Sequence, residues 1–280
     1  MDLPPRPEPR HPFRLTLDDD TVEHFREHGY ASVPRITSDE EVEWLRLVFD
    51  AFFEERSGAF PGGYFDLARP YDADGADDLP QVLVPEMKVP DLRRTDFWAN
   101  ARAATAQLLG RDPEELRGWG HMIRKPARHG GELPWHQDES YWDPAFDYEA
   151  VGNWLPLDDV DERNGCMTFV PGSHRGGVLN HRHIDDDPSV HGLWTDEITD
   201  EQLAAAVPVR LAAGGATFHH PRTLHYTGPN TTDRPRRAYA NEFQTAPVER
   251  GVAAVRPWVA EGQAKWDERP LIAGGPPGSR

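Results

Sequence analysis

The sequence predicts a mainly β protein with flanking helices, built around an antiparallel sandwich or barrel. Beyond Trp119 the chain divides into short apolar or alternating runs bounded by Gly, Pro, Asn and Asp, which is the spacing of strands. The 280 residues include 24 Gly and 27 Pro, more than an average chain carries, so the chain turns often. Because no helices alternate with these runs, a parallel βαβ sheet is not expected.

The segment before this β region is predicted to be mostly helical. Residues 1–17 are interpreted as a flexible tail and residues 18–110 as helical support for the core. Residues 30–33 are expected to be extended. Capping residues and apolar residues at helical spacing predict three helices: one from Asp18 to Gly29, one from Ser38, in a capping box with Glu41, to Gly58, and one from Thr95 or Asp96 to Gly110.

The other elements follow in chain order. Residues 58–80 are predicted to form a loop over a pocket, and residues 81–90 are expected to be extended. The β core is expected over 118–246, with a C-terminal extension over 247–280. Its strands are predicted at 119–125, 132–136, 150–157, 166–170, 207–212, 216–220 and 236–245, with one or two helical turns at 199–206.

Charge and composition restrict the partners. The chain has 30 basic and 48 acidic side chains, a formal net charge of −18, which repels nucleic acid and anionic membranes. No apolar run reaches the roughly 18 residues of a membrane span, and residues 1–7 do not resemble a secretory signal. The single cysteine, Cys166, excludes an intramolecular disulfide. We expect a cytoplasmic protein that acts on a small molecule, binds neither nucleic acid nor membrane, and has an oligomeric state that the sequence leaves open.

One short motif has the spacing of a metal site. His136 and Asp138 are two residues apart in a run expected to be extended, where alternate side chains point to one face, so both can contact one ion. A second such pair, His183 and Asp185, lies in a polar loop with no strand to fix its geometry. We interpret that second pair as a chance match.

A third ligand is expected from the histidines of residues 219–225. His225 is favoured, because the turn at 228–230 follows it and brings an arginine-rich strand, 234–237, to the side of the metal. His220 remains the alternative. Two imidazoles and one carboxylate leave three adjacent positions open, which suits Fe(II) with a chelating cosubstrate and O₂, whereas zinc usually takes a tetrahedral set.

Several motifs occur in a characteristic order along the chain. They are Phe25-Arg26-Glu27-His28-Gly29-Tyr30, Lys125-Pro126, Leu133-Pro134-Trp135-His136-Gln137-Asp138, Asn164-Gly165-Cys166-Met167, Val170-Pro171-Gly172-Ser173-His174, His225-Tyr226-Thr227-Gly228-Pro229-Asn230 and Arg234-Pro235-Arg236-Arg237. In this order the sequence resembles the phytanoyl-CoA dioxygenase (PhyH) family of Fe(II)/2-oxoglutarate-dependent oxygenases. The resemblance implies a double-stranded β-helix, the cupin-like jelly roll, as one domain over residues 1–280 with the N-terminal helices packed outside it.

The resemblance also implies roles for individual residues. His136, Asp138 and His225 would hold the catalytic iron. Arg236 would bind the distal carboxylate of 2-oxoglutarate, with Arg234 on the same strand face as the fallback.

Further contacts are implied around this centre. Arg237 would point away from it. Cosubstrate contacts are expected from Trp154, Lys125, His121 and Lys88. Substrate contacts are expected from Tyr141, Trp142 and Phe65.

These features predict an Fe(II)- and 2-oxoglutarate-dependent dioxygenase. We expect it to oxidise a small-molecule metabolite, most simply by hydroxylation, with release of succinate and CO₂. A secondary metabolite is the favoured substrate class. Halogenation is disfavoured, because related halogenases replace the carboxylate of Asp138 with a small residue. The alternatives are an acyl-CoA hydroxylase and a non-redox metal-dependent isomerase or hydrolase of the same fold.

Overall fold

The computed structural model describes residues 3–8, 13–71, 73 and 75–268. The helices are α1 (Asp19–His28), α2 (Asp39–Glu54), α3 (Asp96–Leu109), α4 (Asp200–Ala204) and α5 (Pro257–Asp267). The strands are β1 (Tyr30–Val33), β2 (Tyr64–Asp66), β3 (Pro80–Leu83), β4 (Arg117–Lys125), β5 (Leu133–His136), β6 (Phe146–Asp147), β7 (Ala150–Pro156), β8 (Met167–Phe169), β9 (Arg182–His183), β10 (Leu193–Trp194), β11 (Val207–Val209), β12 (Ala216–His219), β13 (His225–Thr227), β14 (Arg236–Gln244) and β15 (Val248–Glu249).

Two antiparallel sheets form the core. The larger has the strand order β1-β12-β7-β14-β4-β3-β2, and the smaller has the order β11-β8-β13-β5. Strands that are neighbours in a sheet are distant in the chain, which is the pattern of a jelly roll. The predicted mainly β jelly-roll fold is confirmed. No helix within the described residues has the length and apolar character to cross a membrane.

The two faces of the larger sheet have different partners. Side chains alternate between faces along each strand. One face, which carries Met122, Tyr239 and Phe243, packs with α2 and α3 in the largest apolar cluster. The inner face carries Trp154 and other residues that pack on Met167 and Phe169 of the smaller sheet. The candidate site lies between the sheets on this inner face.

The caps of two helices follow the predicted pattern with one change. The Ser38 hydroxyl accepts a hydrogen bond from the amide of Glu41, and Thr95 caps α3. The Glu41 side chain does not complete a capping box on α2. Its carboxylate instead accepts hydrogen bonds from the amides of Asp96 and Phe97, so it satisfies the free N–H groups at the start of α3.

The N-terminal third departs from the prediction in its tail and in its strand content. Residues 13–17 of the predicted flexible tail lie against α3, where the amides of Phe13 and Leu17 donate to Asp96 and Gln107. Residues 1–2 and 9–12 of that tail lie outside the described residues. The segment 18–110 contains three helices, but it also supplies β1, β2 and β3 to the larger sheet.

The expected extended run over 81–90 is also only partly present. The strand ends at Leu83, and Val84 follows in the left-handed region with φ 44°. Two 3-10 helices, Pro85–Met87 and Pro90–Arg94, come next, each with a proline at its first position. The predicted loop over 58–80 likewise contains β2, which pairs with β3.

The C-terminal extension is folded against the core as far as it is described. It contains β15 and α5, and residues 269–280 lie outside the described residues. Trp258 and Trp266 of α5 are both buried. The Trp258 indole donates to the carbonyl of Ser140, close to the candidate site.

Candidate metal centre

Three side chains that are distant in the chain converge between the sheets. His136 ends β5 and His225 begins β13, and the two residues are partners in the register of these strands. Asp138 begins the 3-10 helix that follows β5. Its Oδ1 lies 3.7 Å from His136 Nε2 and 3.5 Å from His225 Nε2. One potential ligand atom from each residue lies within 4.8 Å of the others, so the three could share one ion.

Hydrogen bonds orient these ligand atoms. The Nδ1 of His136 lies 2.7 Å from the carbonyl of Pro134, and that of His225 lies 2.9 Å from the carbonyl of Thr223. Because a carbonyl only accepts, each Nδ1 donates, which leaves each Nε2 with a free lone pair. Both lone pairs are therefore available on the side where Asp138 lies.

His219 holds the other oxygen of Asp138. Its Nε2 donates to Asp138 Oδ2 at 2.7 Å, so Oδ1 is the oxygen left to face the two ligand histidines. Gly152 on the neighbouring strand provides the room for this ring, since a Cβ there would lie 2.5 Å from His219 Nε2. His219 therefore orients a ligand and is not one of the three.

The protonation states fit a divalent ion. Burial lowers the pKa of His225 to about 4 and the pKa of His136 well below its usual value, so both imidazoles are neutral. Burial alone would raise the pKa of Asp138, but His225 and the hydrogen bond from His219 outweigh it and hold that pKa below its usual range. Two neutral imidazoles and one carboxylate form the donor set typical of non-haem Fe(II).

The other histidines considered from the sequence lie elsewhere. The Nδ1 of His220, the alternative third ligand, accepts a hydrogen bond from the amide of Arg222 at 3.0 Å. His183 has both ring nitrogens near carbonyl oxygens, those of Val190 and Trp258. Neither His220 nor the pair of His183 and Asp185 belongs to the cluster.

Arg236 is a buried cation with no counter-ion among the residues that the structure describes. It is 2% exposed, its Nε has no hydrogen-bond partner, and one Nη donates weakly to the carbonyl of Ile123 at 3.4 Å. Its guanidinium lies over the ring of Trp154, 5.5 Å from the centroid. Burial lowers its pKa to about 10, which leaves it charged at neutral pH. Since a buried charge is costly without a partner, an anionic ligand bound to Arg236 would stabilise it.

The two neighbouring arginines are placed differently from Arg236. Arg234 is exposed. Arg237 points to the other face of β14 and pairs with Asp50 and Asp158. Of the three arginines on this segment, only Arg236 faces the space between the sheets.

The residues expected beside the cosubstrate divide into two groups. Lys125 is fully buried opposite Arg236 in the register, and its Nζ donates to the carbonyls of Gly131 and Thr227. His121 lies on the same face of β4, and burial lowers its pKa to about 4. With Trp154, these side chains lie on the inner face of the larger sheet, towards the space that contains the metal cluster.

Lys88 does not belong to this group. Its ammonium lies on the surface, 3.3 Å from the Glu55 carboxylate and over the ring of Phe52 on the helical side of the sheet. The sequence prediction for Lys88 was wrong because the chain leaves the sheet after Leu83 at the left-handed turn of Val84.

The three residues expected at the substrate lie at different distances from the cluster. The Tyr141 ring lies 6.1 Å from that of His136, and its hydroxyl accepts from the amide of Leu193. Phe65 lies further from the cluster, separated from Tyr141 by the ring of His191, and packs edge-on against Trp266. Trp142 is half-buried and packs on Tyr148.

Glu139 is a site residue that the sequence analysis missed. Its fully buried carboxylate accepts hydrogen bonds from Arg222 at 2.6 Å, Arg256 at 2.8 Å and Arg250 at 3.3 Å. Burial would raise the pKa of Glu139, but Arg222 and the other arginines lower it overall. This network fixes the 3-10 helix that carries Asp138.

Two surface cavities lie away from this centre. The larger, about 460 Å³, lies between α1 and Gln107. The other, about 370 Å³, is lined by Trp135 and Tyr226, whose positions in β5 and β13 place them on the opposite face from the ligand histidines. Neither cavity reaches the metal cluster.

A jelly roll with two histidines and an aspartate between its sheets, together with a buried unpaired arginine, defines the architecture of non-haem iron oxygenases that use a dicarboxylate cosubstrate. Residues 25–238 match the sequence model of the phytanoyl-CoA dioxygenase (PhyH) family. The chain belongs to this family.

Individual relatives agree with this assignment. EvdO2 from Micromonospora carbonacea var. aurantiaca, solved in complex with 2-oxoglutarate, is 39% identical with a TM-score of 0.76, over 89% of this chain and 99% of that chain. A probable alpha-ketoglutarate-dependent hypophosphite dioxygenase from Stutzerimonas stutzeri is 30% identical over 55% of this chain and 48% of its own length, so the chain spans about half of that relative. The epimerase SnoN, solved with Fe³⁺, alpha-ketoglutarate and nogalamycin RO, is 24% identical with a TM-score of 0.66, over 92% of each chain, and shares the fold.

Proposed function

We propose that this protein is an Fe(II)- and 2-oxoglutarate-dependent dioxygenase that hydroxylates a small-molecule metabolite. The observation that carries this proposal is the buried guanidinium of Arg236, which has no counter-ion among the described residues and faces the same space between the sheets as the cluster of His136, Asp138 and His225. A metal-dependent isomerase or hydrolase would need the three ligands, but its reaction would not require a buried cation without a counter-ion. A dicarboxylate cosubstrate would bind to the metal through one end and to the guanidinium of Arg236 through the other.

The residues have separate tasks in this function. The Nε2 atoms of the two histidines and Oδ1 of Asp138 would hold ferrous iron, and a set of only three protein ligands would let a chelating cosubstrate and O₂ bind beside them. Arg236 pairs with the distal carboxylate of 2-oxoglutarate through charge-assisted hydrogen bonds. The ring of Trp154 stacks against the guanidinium and stabilises its charge through a cation–π interaction. The iron, with 2-oxoglutarate and O₂, supplies the oxidation of a substrate C–H bond while 2-oxoglutarate becomes succinate and CO₂.

The protein also controls access to this centre. Tyr141, half-buried beside His136, and the aromatic residues packed behind it cover one side of the cluster. Because Asp138 is present as the third ligand, no position is left for a halide in its place. Oxygen insertion is therefore favoured over halogenation.

The favoured substrate is a secondary metabolite, not an acyl-CoA. The phosphates of CoA would require a basic cluster, whereas the adjacent Arg93 and Arg94 already have partners: Arg94 pairs with Asp91, and Arg93 lies over Trp98 and near Glu86. The complex of SnoN with nogalamycin RO supports a secondary metabolite in the same fold.

Anaerobic titration with Fe(II) and 2-oxoglutarate tests the proposal. The visible charge-transfer band of the chelate should develop in the wild-type protein and be absent in His136→Ala. Absence of the band in the wild type, or an equal band in His136→Ala, would contradict the iron assignment. Conversion of 2-oxoglutarate to succinate under air would then separate an oxygenase from a non-redox metal enzyme.

A further inference from the structure

The inner face of the paired strands β4 and β14 has two chemically different ends. Arg236 and Lys125 are partners at one end, where the cosubstrate is proposed to bind. Six residues further along β14, Glu242 is the partner of Trp119 at the other end, about 20 Å away at the usual rise of a strand. Since side chains alternate, Glu242 and Arg236 face the same side of the sheet. One end is therefore basic and the other is acidic.

The acidic end lies next to the metal cluster. Glu242 is the partner of Gly152 on β7, and Gly152 is the partner of His219 on β12. The His219 ring covers Gly152 and donates to Asp138. Glu242 is thus two strands away from the side chain that contacts a proposed iron ligand.

Glu242 differs from the other buried acidic side chains of the described residues. Each of those accepts hydrogen bonds from backbone amides, hydroxyls or arginines; they are Glu41, Asp66, Glu86, Asp96 and Glu139. Glu242 is 6% exposed, and the only hydrogen-bonding neighbour that it has in the described part of the chain is the indole of Trp119. A buried carboxyl with a single hydrogen-bonding partner keeps unused donor and acceptor capacity and is suited to bind a ligand.

A second observation points to the same place. The Nδ1 of His121 is buried without a hydrogen-bond partner, and His121 lies on the same face of β4 as Trp119. Both of these side chains keep part of their surface exposed, so the inner face is not fully covered at this end. The carboxyl of Glu242, its one partner Trp119 and the unpartnered Nδ1 of His121 therefore border one open part of the site.

We propose that Glu242, with Trp119 and His121, binds the substrate beside the iron and recognises a neutral hydroxyl group on it. This inference rests on the proposed function and names the group that the enzyme selects. Burial raises the pKa of Glu242 well above its usual value, and the nearby Asp138 adds to this effect, which favours the protonated, neutral carboxyl. A neutral carboxyl offers one O–H donor and one carbonyl acceptor, which match a hydroxyl, whereas an ammonium group would require the ionised form.

Matched probes test the inference. The full-length protein, loaded anaerobically with 2-oxoglutarate and either Fe(II) or Zn(II), is titrated with trans-cyclohexane-1,2-diol or with cyclohexylamine and followed by ligand-observed NMR. We expect the diol to bind the wild type more tightly than the amine does, and its protons to relax faster with Fe(II) than with Zn(II), because it lies near the paramagnetic ion.

Substitutions then assign the contact. Glu242→Ala should weaken binding of the diol about fivefold, whereas Glu242→Gln should change it less than about twofold, because the amide keeps a donor and an acceptor. Glu249→Gln, at an exposed position of β15, is the control and should bind like the wild type.

Three results would overturn the inference: equal binding of the diol by the wild type and Glu242→Ala, no difference in its relaxation between Fe(II) and Zn(II), or preferential binding of the amine that is lost in Glu242→Gln. The visible band of the iron chelate is recorded for each protein. If the wild type lacks the band, the proposed function fails. If the band is present but the wild type and Glu242→Ala bind the diol equally, only this inference fails.

Discussion

The hydrogen bond from His219 gives the two oxygens of Asp138 different tasks. Oδ2 is held at 2.7 Å by His219, and Oδ1 faces the ligand histidines. We expect His219→Phe, which keeps the ring volume but removes the donor, to weaken Fe(II) binding about tenfold, as the loss of a hydrogen-bond partner of a metal ligand commonly does. Anaerobic Fe(II) titration in the presence of 2-oxoglutarate measures this change.

Two further variants interpret that result. His24→Phe, at an exposed position of α1, should bind Fe(II) like the wild type. His219→Gln should recover part of the affinity, because its amide can donate to Asp138. Unchanged affinity in His219→Phe would show that Asp138 is held by other means.

Arg236 should determine the affinity for the cosubstrate. Arg236→Ala is expected to raise the 2-oxoglutarate concentration at half-saturation at least about tenfold, from loss of a charged hydrogen-bond pair worth about 1.5–3 kcal/mol. Arg234→Ala should have little effect because Arg234 is exposed. Succinate formation as a function of 2-oxoglutarate concentration measures both variants. The opposite ranking would assign the cosubstrate to Arg234.

Single residues were predictable where local spacing carries the information. The alternation of an extended strand places His136 on one face, and the same rule separates Arg236 from Arg237. The prediction for Lys88 failed because a single left-handed residue, Val84, redirects the chain. Glu242 could not be found, since its isolation depends on which strands lie beside β14.

Among the elements, the 3-10 helix Asp138–Tyr141 depends on charges brought from far along the chain. Glu139 within it is surrounded by Arg222, Arg250 and Arg256. We expect Glu139→Gln to lower the free energy of unfolding by about 3 kcal/mol, because the buried guanidinium of Arg256 and the half-buried ones of Arg222 and Arg250 would lose their shared counter-charge. Urea denaturation measures it.

A surface carboxylate provides the comparison for that variant. Glu149→Gln breaks the exposed pair with Arg111 and should change the stability much less, since solvent screens exposed pairs. If Glu139→Gln and Glu149→Gln are equally stable, the arginine cluster does not hold the 3-10 helix in place.

The elements were predictable in proportion to their length and regularity. The long strands β4, β7 and β14 coincide with apolar or alternating runs that end at turn residues, so the sequence predicted each of them to within two residues at either end. β2 and β13 have three residues each, and they are strands only because distant partners pair with them. The pattern of a sequence does not contain that pairing, so these strands were missed.

For the whole molecule, ligand binding should stabilise the fold. Fe(II) and 2-oxoglutarate at about 100 times their dissociation constants would each add about 2.7 kcal/mol, which raises the melting temperature by roughly 5 °C or more. Arg236→Ala should keep the increment from Fe(II) and lose the one from 2-oxoglutarate. Scanning fluorimetry under nitrogen measures the melting temperature without ligand, with Fe(II), with 2-oxoglutarate and with both. An unchanged melting temperature of the wild type with both ligands would contradict the site.

The position of β5 at the edge of the smaller sheet has a consequence for metal-free protein. Its ladder to β13 has only two register pairs, with an irregularity between them, and one of those pairs is His136 with His225. An ion bound by both histidines would cross-link the sheet at this seam. Removal of the ion by a chelator should therefore speed hydrogen–deuterium exchange in β5 before it does so in the central strands. Metal binding would then stabilise the edge strand of the smaller sheet as well as supply the reactive centre.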